Sequence, residues 1–368
     1  MDGNVVDKTD QSQDNKTVAF YCQTPNPFLS PSVRVPPALM APESLSSRIK
    51  GSIFGVAVTD ALGGPVEFMT RGSFPRVTGF QHNDTFNVPP GTWTDDTSMT
   101  LCLAKSLIDH KGTFVPQAAL RNYINWYQHG YLSATGDCFD IGATTTKALW
   151  IWSDYFDSAT HLDKNDPEGH KPGQPAINKD LMREVFCGNG SLMRVAPIGL
   201  AYSHDLSLAV ANATVSSSVT HPYPTCAECC VIYTKLIVQT LNGARKEDLA
   251  VEIANTTFAD PKVKQRLSRY ASIADWENTD DSEIKSSGYV VSTLEAALWA
   301  FFTTSTFREG ALDVVNLGYD ADTVGAVYGG LAGAFYGMES IPTEWIDGVQ
   351  KKEIVDEIAS GLASLRSN

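Results

Sequence analysis

The stretch from Asp322 to Gly337 reads DTVGAVYGGLAGAFYG, and glycine recurs in it at every fourth position. A second stretch, GSIFGVAVTDALGG from Gly51 to Gly64, begins with the same spacing. Glycine inside a helix costs about 1 kcal/mol relative to alanine. A helix that keeps a glycine stripe therefore indicates a second helix backbone packed very close, as in membrane helices. Both runs are too short and too often interrupted to span a bilayer, so we predict close packing inside a core.

The rest of the periodic sequence also favours helices. DDTSMTLCLAKSLIDHKG, from Asp95 to Gly112, opens with helix-starting residues, shows helical apolar spacing and ends in Lys-Gly. VVSTLEAALWAFFTT, from Val290 to Thr304, is apolar nearly all round, which predicts a central buried helix. Clean alternating strands are hard to find. The predicted class is all-α, a compact helical bundle.

The chain divides into a tail and one predicted domain. Residues 1–45 are polar and then proline-rich, without periodicity, and are predicted to form a flexible tail. Residues 46–368 are predicted to form a single all-α domain. Within it, residues from about 154 to 178 are rich in Asp, Gly, Pro and His, which favours a surface insertion.

The charge balance excludes several partners. The 368 residues carry 28 basic and 42 acidic side chains, a net charge of −14, and 43% of residues are hydrophobic. So acidic a chain is not expected to bind nucleic acid or an anionic membrane. An anionic small molecule remains possible as a ligand if something local, such as a metal, supplies positive charge. We expect a monomer.

The cysteines indicate a reducing compartment. Seven cysteines in a chain of this length are odd in number and too sparse for a disulfide scaffold. No basic segment followed by an apolar one opens the sequence, so a cytoplasmic location is expected, with a nuclear one left open. Cys226, Cys229 and Cys230 lack a second Cys/His pair at zinc spacing, which favours a small-residue helix face over a zinc site.

Two acidic segments are candidates for a metal site. Thr94-Asp95-Asp96-Thr97 and Asp320-Ala321-Asp322-Thr323 each begin a predicted helix. Helix capping is the structural alternative, since Asp and Thr are favoured N-caps. Capping uses one side chain, however, and four converging carboxylates could not all stay ionised without cations. Hard oxygen ligands select Mg²⁺ or Mn²⁺, and two clusters suggest two metals about 4 Å apart.

Three further motifs are weaker alone. GNGSLMRVAP, from Gly188 to Pro197, is a glycine-rich turn that suits either phosphate binding or an ordinary loop. Asp140 and Gly142, in CFDIGATTTKAL, precede a predicted helix, where a simple cap is the alternative. His221 precedes a proline, and a structural loop histidine is the alternative there.

These motifs together resemble the ADP-ribosylglycohydrolase family. GSIFGVAVTDALGGPVEF, TWTDDTSM, CFDIGATT, GNGSLMRVAP, VTHP and GYDADTVGAVYGGLAGAFYG occur in the order seen in that family, over roughly Ser47 to Met338. The resemblance implies an all-α fold with two Mg²⁺ or Mn²⁺ ions at the base of a cleft. The CFDIG form is more similar to the bacterial and arginine-type members than to the vertebrate serine-type ones.

The resemblance also implies residue roles. The implied metal ligands are Thr94, Asp95, Asp96, Asp320, Asp322 and Thr323, with Asp322 bridging both ions. Glu67 matches a glutamate beside the metals, and it and Asp140 are the catalytic candidates. The implied substrate-binding residues are Asp140, Gly142, Asn189, Gly190, Ser191, Met193 and His221.

The implied reaction is hydrolysis of the bond between the distal ribose of ADP-ribose and a modified arginine or serine of a protein, through an oxocarbenium-like state. Glu67 or a metal-held aspartate would handle the proton, and the sequence does not assign acid and base. Two alternatives stay open. One is a two-metal nucleotide phosphohydrolase, and the other is a non-catalytic ADP-ribose-binding or structural protein of the same fold.

Overall fold

A computed structural model describes residues 44–158 and 163–366 of the chain. The predicted tail therefore lies, up to residue 43, outside the described residues. The described helices are α1 (Leu45–Gly63), α2 (Asp95–Asp109), α3 (Pro116–His129), α4 (Ala143–Ser158), α5 (Gln174–Leu181), α6 (Ala196–Ala201), α7 (Leu206–Ser218), α8 (Pro224–Leu241), α9 (Lys246–Asn255), α10 (Pro261–Leu267), α11 (Ile273–Glu277), α12 (Val290–Thr303), α13 (Phe307–Val315), α14 (Ala321–Tyr336), α15 (Thr343–Gly348) and α16 (Lys352–Ser364).

The rest of the described chain is turns and short 3₁₀ segments. The 3₁₀ segments are Gly64–Val66, Glu184–Phe186, Asp281–Glu283 and Met338–Ser340. No β-strand occurs in the described ranges, and β pairing is limited there to two isolated bridges, Asn83 with Val88 and Gly188 with Tyr289. The predicted all-α class is confirmed. None of the described helices is long and apolar enough to cross a membrane.

The two glycine-rich helices, α1 and α14, pack directly against each other along their backbones. A Cβ added at Gly329 would lie 2.1 Å from the carbonyl oxygen of Gly55, and one at Gly333 would lie 1.9 Å from that of Gly51. The Thr59 hydroxyl donates to the Gly325 carbonyl at 2.7 Å. Any larger side chain would separate the helices, so the glycine spacing produces this contact, as predicted from the sequence.

The remaining helices enclose this pair. From Val290 to Phe302, every residue of α12 is buried, as its all-round apolar sequence predicted, and α12 packs against α14. On the other side, α16 packs against α1 and α2 through Val355, Ile358 and Leu362. Because α1 and α14 are held from all sides, the side chains at their ends have fixed positions.

The stretch predicted as a surface insertion, 154–178, contains the end of α4 and the start of α5, and residues 159–162 within it lie outside the described ranges. Its described part includes buried contacts as well as exposed turns. Ile177 is fully buried, and the buried Gln117 side chain donates to the Asp166 carbonyl at 2.7 Å. Apolar residues spaced within α5 are the physical reason for this docking.

The cysteine cluster of α8 is a buried helix face. Cys226, Cys229 and Cys230 are all fully buried, and burial raises the pKa of the Cys230 thiol. Among the described residues, the clusters geometrically suited to a metal consist of carboxylates alone. The small-residue interpretation of these cysteines is thus the one that the packing supports.

Candidate active site

Three helix ends bring the predicted carboxylates together. α1 ends beside the 3₁₀ turn that leads to Glu67, α2 begins at Asp95, and α14 begins after Asp320. The close approach of α1 and α14 continues to this point, since a Cβ at Gly63 would lie 2.4 Å from the amide nitrogen of Asp322. The glycine stripes therefore position the site as well as the core.

The helix-capping alternative does not describe either acidic segment. Thr94 and Asp320 occupy the N-cap positions of α2 and α14, and neither side chain makes a capping hydrogen bond. The Thr94 hydroxyl instead lies 3.1 Å from Asp96 Oδ2 and 3.4 Å from Asp322 Oδ2. The Thr323 hydroxyl lies 3.3 Å from the same Asp96 oxygen. These side chains turn toward one another rather than toward their own helix ends.

Asp60, in the last turn of α1, is a site residue that the sequence analysis missed. It is fully buried, and it accepts hydrogen bonds from the Thr94 amide at 2.9 Å, from the Thr97 amide at 3.0 Å and from both threonine hydroxyls. Burial raises its pKa to about 7, against the effect of these hydrogen bonds. The sequence feature that could have identified Asp60 is its position as a lone carboxylate in the apolar run VAVTDALGG. Asp60 fixes the start of α2 against the end of α1.

Several carboxylate oxygens in the cluster have no hydrogen-bond partner among the described residues: Glu67 Oε2, Asp96 Oδ1 and Asp322 Oδ1. Burial is the main cause that raises the pKa of Glu67, Asp96 and Asp322. Repulsion from Asp322 adds to it at Glu67 and Asp96, and repulsion from Asp320 adds to it at Asp322. Unpaired buried polar atoms are costly and rare in native proteins. They indicate that a cation belongs here.

The geometry divides the carboxylates into two possible metal-binding groups. One consists of Asp60, Asp96 and Asp322, and the other of Glu67, Asp320 and Asp322, with the oxygens of each group within 4.8 Å of one another. Asp322 belongs to both. All-oxygen donor sets suit hard divalent cations. The residues present therefore fit a metal centre, and the shared Asp322 matches the bridging position that the resemblance implied.

A cleft of about 640 Å³ lies over this cluster, a volume typical of small-molecule sites. Its lining residues are Glu67, Phe68, Asp95, Asp140, Ile141, Gly142, Ala143, Thr144, Thr145, Gly188, Asn189, Gly190, Met193, His221, Ser287, Gly288, Tyr319, Asp320, Asp322 and Thr323. Carboxylates crowd one side, and the loops before α4 and α6 form the other. No Lys or Arg occurs in this lining.

The structure brings most of the predicted site residues to this cleft. Three of them lie beneath its surface rather than in its lining: Thr94, Asp96 and Ser191. Ser191 is fully buried, and its hydroxyl lies 2.9 Å from that of Ser217. Its side chain thus braces the loop from behind.

Asp140, in the loop before α4, lies near Glu67, Asp95 and Asp322. Its backbone has a left-handed conformation with φ 49°, which an aspartate adopts more readily than most residues. Burial raises its pKa to about 6, although a hydrogen bond from Glu67 opposes this. The two catalytic candidates are therefore close neighbours in the cleft lining.

The Gly188–Gly190 loop connects the two sides of the cleft. The Asn189 amide donates to Asp320 Oδ2 at 2.7 Å, so this loop holds one metal-binding carboxylate. His221 lies directly under the loop, since a Cβ at Gly190 would lie 2.9 Å from its ring. Burial, followed by the nearby Arg194, lowers the pKa of His221 to about 3, so its imidazole is neutral at neutral pH.

Arg194 is a second site residue that the sequence analysis quoted without singling out. It is fully buried beneath the Gly188–Gly190 loop. Its guanidinium donates to the Gly190 carbonyl, to the Ser216 carbonyl at 3.1 Å and to the Thr220 hydroxyl at 2.6 Å. Among the described residues it forms no ion pair within 4 Å.

Comparisons with known proteins agree with this geometry. The sequence profile of the ADP-ribosylglycohydrolase family matches residues 41–368. ADP-ribosylarginine hydrolase Tri1 of Pseudomonas putida is 33% identical over 88% of this chain and 80% of its own length. ADP-ribosyl-[dinitrogen reductase] glycohydrolase of Rhodospirillum rubrum is 29% identical over 85% of this chain and 94% of its own length.

A solved structure described as an ADP-ribosylglycohydrolase-related protein complex is also similar. It superimposes with a TM-score of 0.68 and 33% identity, over 87% of this chain and 98% of that one. The fold and the enzyme class predicted from the sequence are confirmed: this chain belongs to the ADP-ribosylglycohydrolase family, whose members act on glycosyl bonds.

Proposed function

We propose that this protein removes ADP-ribose from modified arginine side chains of proteins, with two Mg²⁺ or Mn²⁺ ions in the site. The observation that carries the proposal is the buried cluster at three helix ends, whose carboxylate oxygens lack partners at the floor of a cleft large enough for ADP-ribose. A catalytically silent protein would gain nothing from such a costly arrangement.

The metal-binding groups would hold the two ions. Asp60, Asp96 and Asp322 would surround one, and Glu67, Asp320 and Asp322 the other. When bound, such ions supply Lewis acidity and a template for the ribose hydroxyls and a water. Asp95 lines the cleft and is nearly buried, and Thr94 and Thr323 lie within hydrogen-bonding reach of Asp96, so these three would complete the coordination.

Glu67 and Asp140 are placed to handle the proton. In the reaction, the bond from the anomeric carbon of the distal ribose to the arginine nitrogen breaks, and a bond from that carbon to a water oxygen forms. The water loses a proton and the departing guanidine gains one. Glu67 is 5% exposed and has an oxygen without a partner. Its pKa is raised in the cation-free protein, chiefly by burial, and a bound divalent cation would favour its ionised form, which would accept the proton from water. Asp140 would orient it.

The uncharged side of the cleft would bind the rest of ADP-ribose. Gly142, Thr144 and Thr145 lie at the start of α4, where amide groups free of helical partners favour phosphate oxygens. Gly188 and Gly190 present backbone to the same space, because a side chain at Gly190 would collide with Thr145 and His221. The diphosphate is therefore proposed to lie between these two loops.

The choice of arginine rests on two observations. Two relatives that cover most of this chain, from Pseudomonas putida and Serratia proteamaculans, are named as ADP-ribosylarginine hydrolases, at 33% and 32% identity. In addition, the cleft lining contains five acidic side chains and no Lys or Arg, which favours a cationic guanidinium over a neutral serine acceptor.

The decisive experiment offers one peptide carrying ADP-ribose on arginine, a matched peptide carrying it on serine, and ADP-ribose 1″-phosphate. Each is incubated with the protein in Mg²⁺, in Mn²⁺ and in excess EDTA, and products are separated by chromatography. We expect free ADP-ribose from the arginine peptide in either metal and none in EDTA. Cleavage of the diphosphate, seen as release of AMP from any of the three compounds, would instead favour the two-metal nucleotide phosphohydrolase. Full turnover in EDTA would refute the metal assignment.

A further inference from the structure

Two aromatic side chains stand exposed at the rim of the cleft, on its carboxylate side. Phe68 is 66% exposed and Tyr319 is 46% exposed, and both line the cavity. Phe68 directly follows Glu67 in the chain, and Tyr319 directly precedes Asp320. Each ring is therefore one residue away from a proposed metal-binding carboxylate. The proposed chemistry assigns neither ring a role.

The backbone at both rings is strained. Phe68 has φ 63° and Tyr319 has φ 58°, in the left-handed region. This conformation is unfavourable for a residue with a Cβ, and glycine would adopt it without that cost. Strain of this kind persists where surrounding structure imposes it, and it clusters at functional sites. A bulky aromatic at two such adjacent positions requires an explanation beyond folding.

The surrounding structure holds the two rings in place. The Phe68 amide donates to the Tyr319 carbonyl at 2.6 Å, and the Tyr319 amide donates to the Met69 carbonyl at 2.7 Å. Behind them, Arg71 Nε donates to the Leu317 carbonyl at 3.2 Å, and the same guanidinium reaches the Ile284 carbonyl at 2.5 Å. The loops are thus tied to each other and to the body of the domain, which fixes the backbone that carries the rings before any ligand arrives.

The position of the rings restricts what they can contact. If the distal ribose lies at the metal-binding groups, the group attached to its anomeric carbon must leave the cleft near that end. Phe68 and Tyr319 adjoin Glu67 and Asp320 in the chain, whereas Gly190 lies against Thr145 and His221. The rings therefore face the acceptor rather than the diphosphate.

We propose that Phe68 and Tyr319 form an acceptor clamp that binds the guanidinium of the ADP-ribosylated arginine between or against their faces. This inference rests on the proposed function. A guanidinium is planar, cationic and weakly hydrated, and it stacks on aromatic faces. The neighbouring carboxylates Glu67 and Asp320 add attraction for positive charge. The clamp thereby selects arginine-linked substrates.

Glycine variants test the clamp without adding strain. Phe68→Gly and Tyr319→Gly remove the rings where the backbone already favours glycine, so both should keep or raise the melting temperature. We expect each to raise KM for the arginine-linked peptide about 5–20-fold, as loss of one cation–π contact predicts, with a much smaller change in kcat. The affinity for free ADP-ribose, measured by calorimetry in Mg²⁺, should stay within about twofold, because ADP-ribose lacks the acceptor.

Three further variants sharpen the result. Tyr319→Phe keeps the ring and should keep KM, whereas Phe68→Leu keeps apolar bulk without a π face and should resemble the glycine variant. Lys111→Gly is the backbone control, since Lys111 is exposed, has φ 54° and lies in the turn after α2, outside the cleft lining.

The outcomes separate the clamp from the proposed function. An unchanged KM in both glycine variants, a restored KM in Phe68→Leu, or a parallel loss of ADP-ribose affinity would each overturn the clamp while the parent protein still hydrolyses the arginine-linked peptide. Absence of ADP-ribose release by the parent protein itself would instead refute the proposed function.

Discussion

Glu295 and Asp322 are both buried carboxylates on the central helices, yet their surroundings are opposite. Glu295, in α12, is fully buried and lies 2.7 Å from Arg266 Nε, 3.6 Å from Arg269 Nε and 2.9 Å from the Tyr270 hydroxyl. Asp322, at the start of α14, is 1% exposed and has other carboxylates as neighbours and one oxygen without a partner.

The difference separates a charge that serves the fold from one that serves a ligand. Around Glu295 the protein supplies its own cations, so that charge is neutralised within the described structure. Around Asp322 the described structure supplies none, and a bound cation has to do so. Arg194 is the reverse case, a buried guanidinium without a carboxylate partner in the described residues, beneath the loop proposed to bind a diphosphate.

The largest expected effect is at Asp322. Asp322→Asn should abolish measurable turnover, a loss of about 10³-fold or more. Asp322 is the residue common to both metal-binding groups, so the substitution removes a carboxylate ligand from each of them. Without metal it should melt at a higher temperature than the parent protein, since one repelling charge is gone. Calorimetric titration with Mn²⁺ should show a greater loss of affinity than for Asp95→Asn, because Asp95 belongs to neither group.

Glu295→Gln is the matched variant at the buried carboxylate that the protein neutralises with its own arginines. It should lower the free energy of unfolding by about 1–3 kcal/mol, because the partly exposed Arg266 and Arg269 then lose their charged hydrogen-bond partner. Its metal affinity should equal that of the parent protein. Equal metal affinities for Asp322→Asn and Asp95→Asn would contradict the bridging role, and a stable Glu295→Gln would remove the contrast between the two carboxylates.

Glu67→Gln should have the next largest effect. The amide keeps the size of the side chain but cannot accept the proton from water. We expect kcat to fall by about 10²–10⁴, or roughly 3–5.5 kcal/mol of barrier. Single-turnover rates on the arginine-linked peptide, in saturating metal, measure this. Because Glu67 also belongs to one proposed metal-binding group, the affinity for Mn²⁺ is measured in parallel.

The control for this substitution is Glu309→Gln, on α13 away from the cleft lining, which should leave kcat unchanged. If Glu67→Gln hydrolyses the peptide at the parental rate, the proton does not pass through Glu67, and Asp140 becomes the candidate. A strong loss of metal binding with kcat would assign Glu67 purely to the metal centre.

The Arg194→Met variant tests whether this buried guanidinium, which has no carboxylate partner among the described residues, contributes to ligand binding. Removing the guanidinium should weaken binding of free ADP-ribose about tenfold, which corresponds to Coulomb attraction over roughly 10 Å at an effective dielectric of about 20. Calorimetry at two salt concentrations measures it, with Arg308→Met, an exposed arginine paired with Glu344, as the control. Unchanged ADP-ribose affinity alongside lower stability would make Arg194 a structural residue like Glu295.

Much of the fold was predictable because its determinants are local. The spacing of glycines in α1 and α14 is visible in the sequence, and steric exclusion alone turns that spacing into close packing. The all-round apolar character of α12 likewise predicted its burial. The docking of Ile177 and Gln117 in the stretch from 154 to 178 was less visible, because its polar composition conceals a few buried contacts.

The candidate site was predictable only in part, for physical reasons. The acidic segments at the starts of α2 and α14 were visible, but capping and metal binding use the same residue types there. Asp60 was missed because its partners Thr94 and Thr97 lie more than thirty residues away. The left-handed backbone at Phe68 and Tyr319 depends on the pairing of two distant loops, which no local pattern encodes.

The smallest predicted effect is at His221, on the uncharged side of the cleft. Its folded pKa of about 3 lies below the ordinary value near 6.5, chiefly because of burial and then because of Arg194. The stability that its neutral form contributes is therefore complete above about pH 6.5 and is lost as the pH falls toward 3. Between pH 7.5 and 5.5 the unfolded chain takes up nearly one proton at this site, which should lower the free energy of unfolding by about 1.4 kcal/mol.

His221→Gln has no group that titrates at this position. Between pH 7.5 and 5.5 the free energy of unfolding of the variant should therefore fall by about 1.4 kcal/mol less than that of the parent protein. Asp60 and Asp140, whose pKa values are raised to about 7 and about 6 chiefly by burial, also titrate there, but they are common to both proteins and cancel in the difference. Denaturant unfolding at the two pH values, in saturating Mg²⁺, measures it. Parallel pH profiles would mean that His221 takes up its proton equally in the folded and unfolded protein, which contradicts a lowered pKa in the folded state.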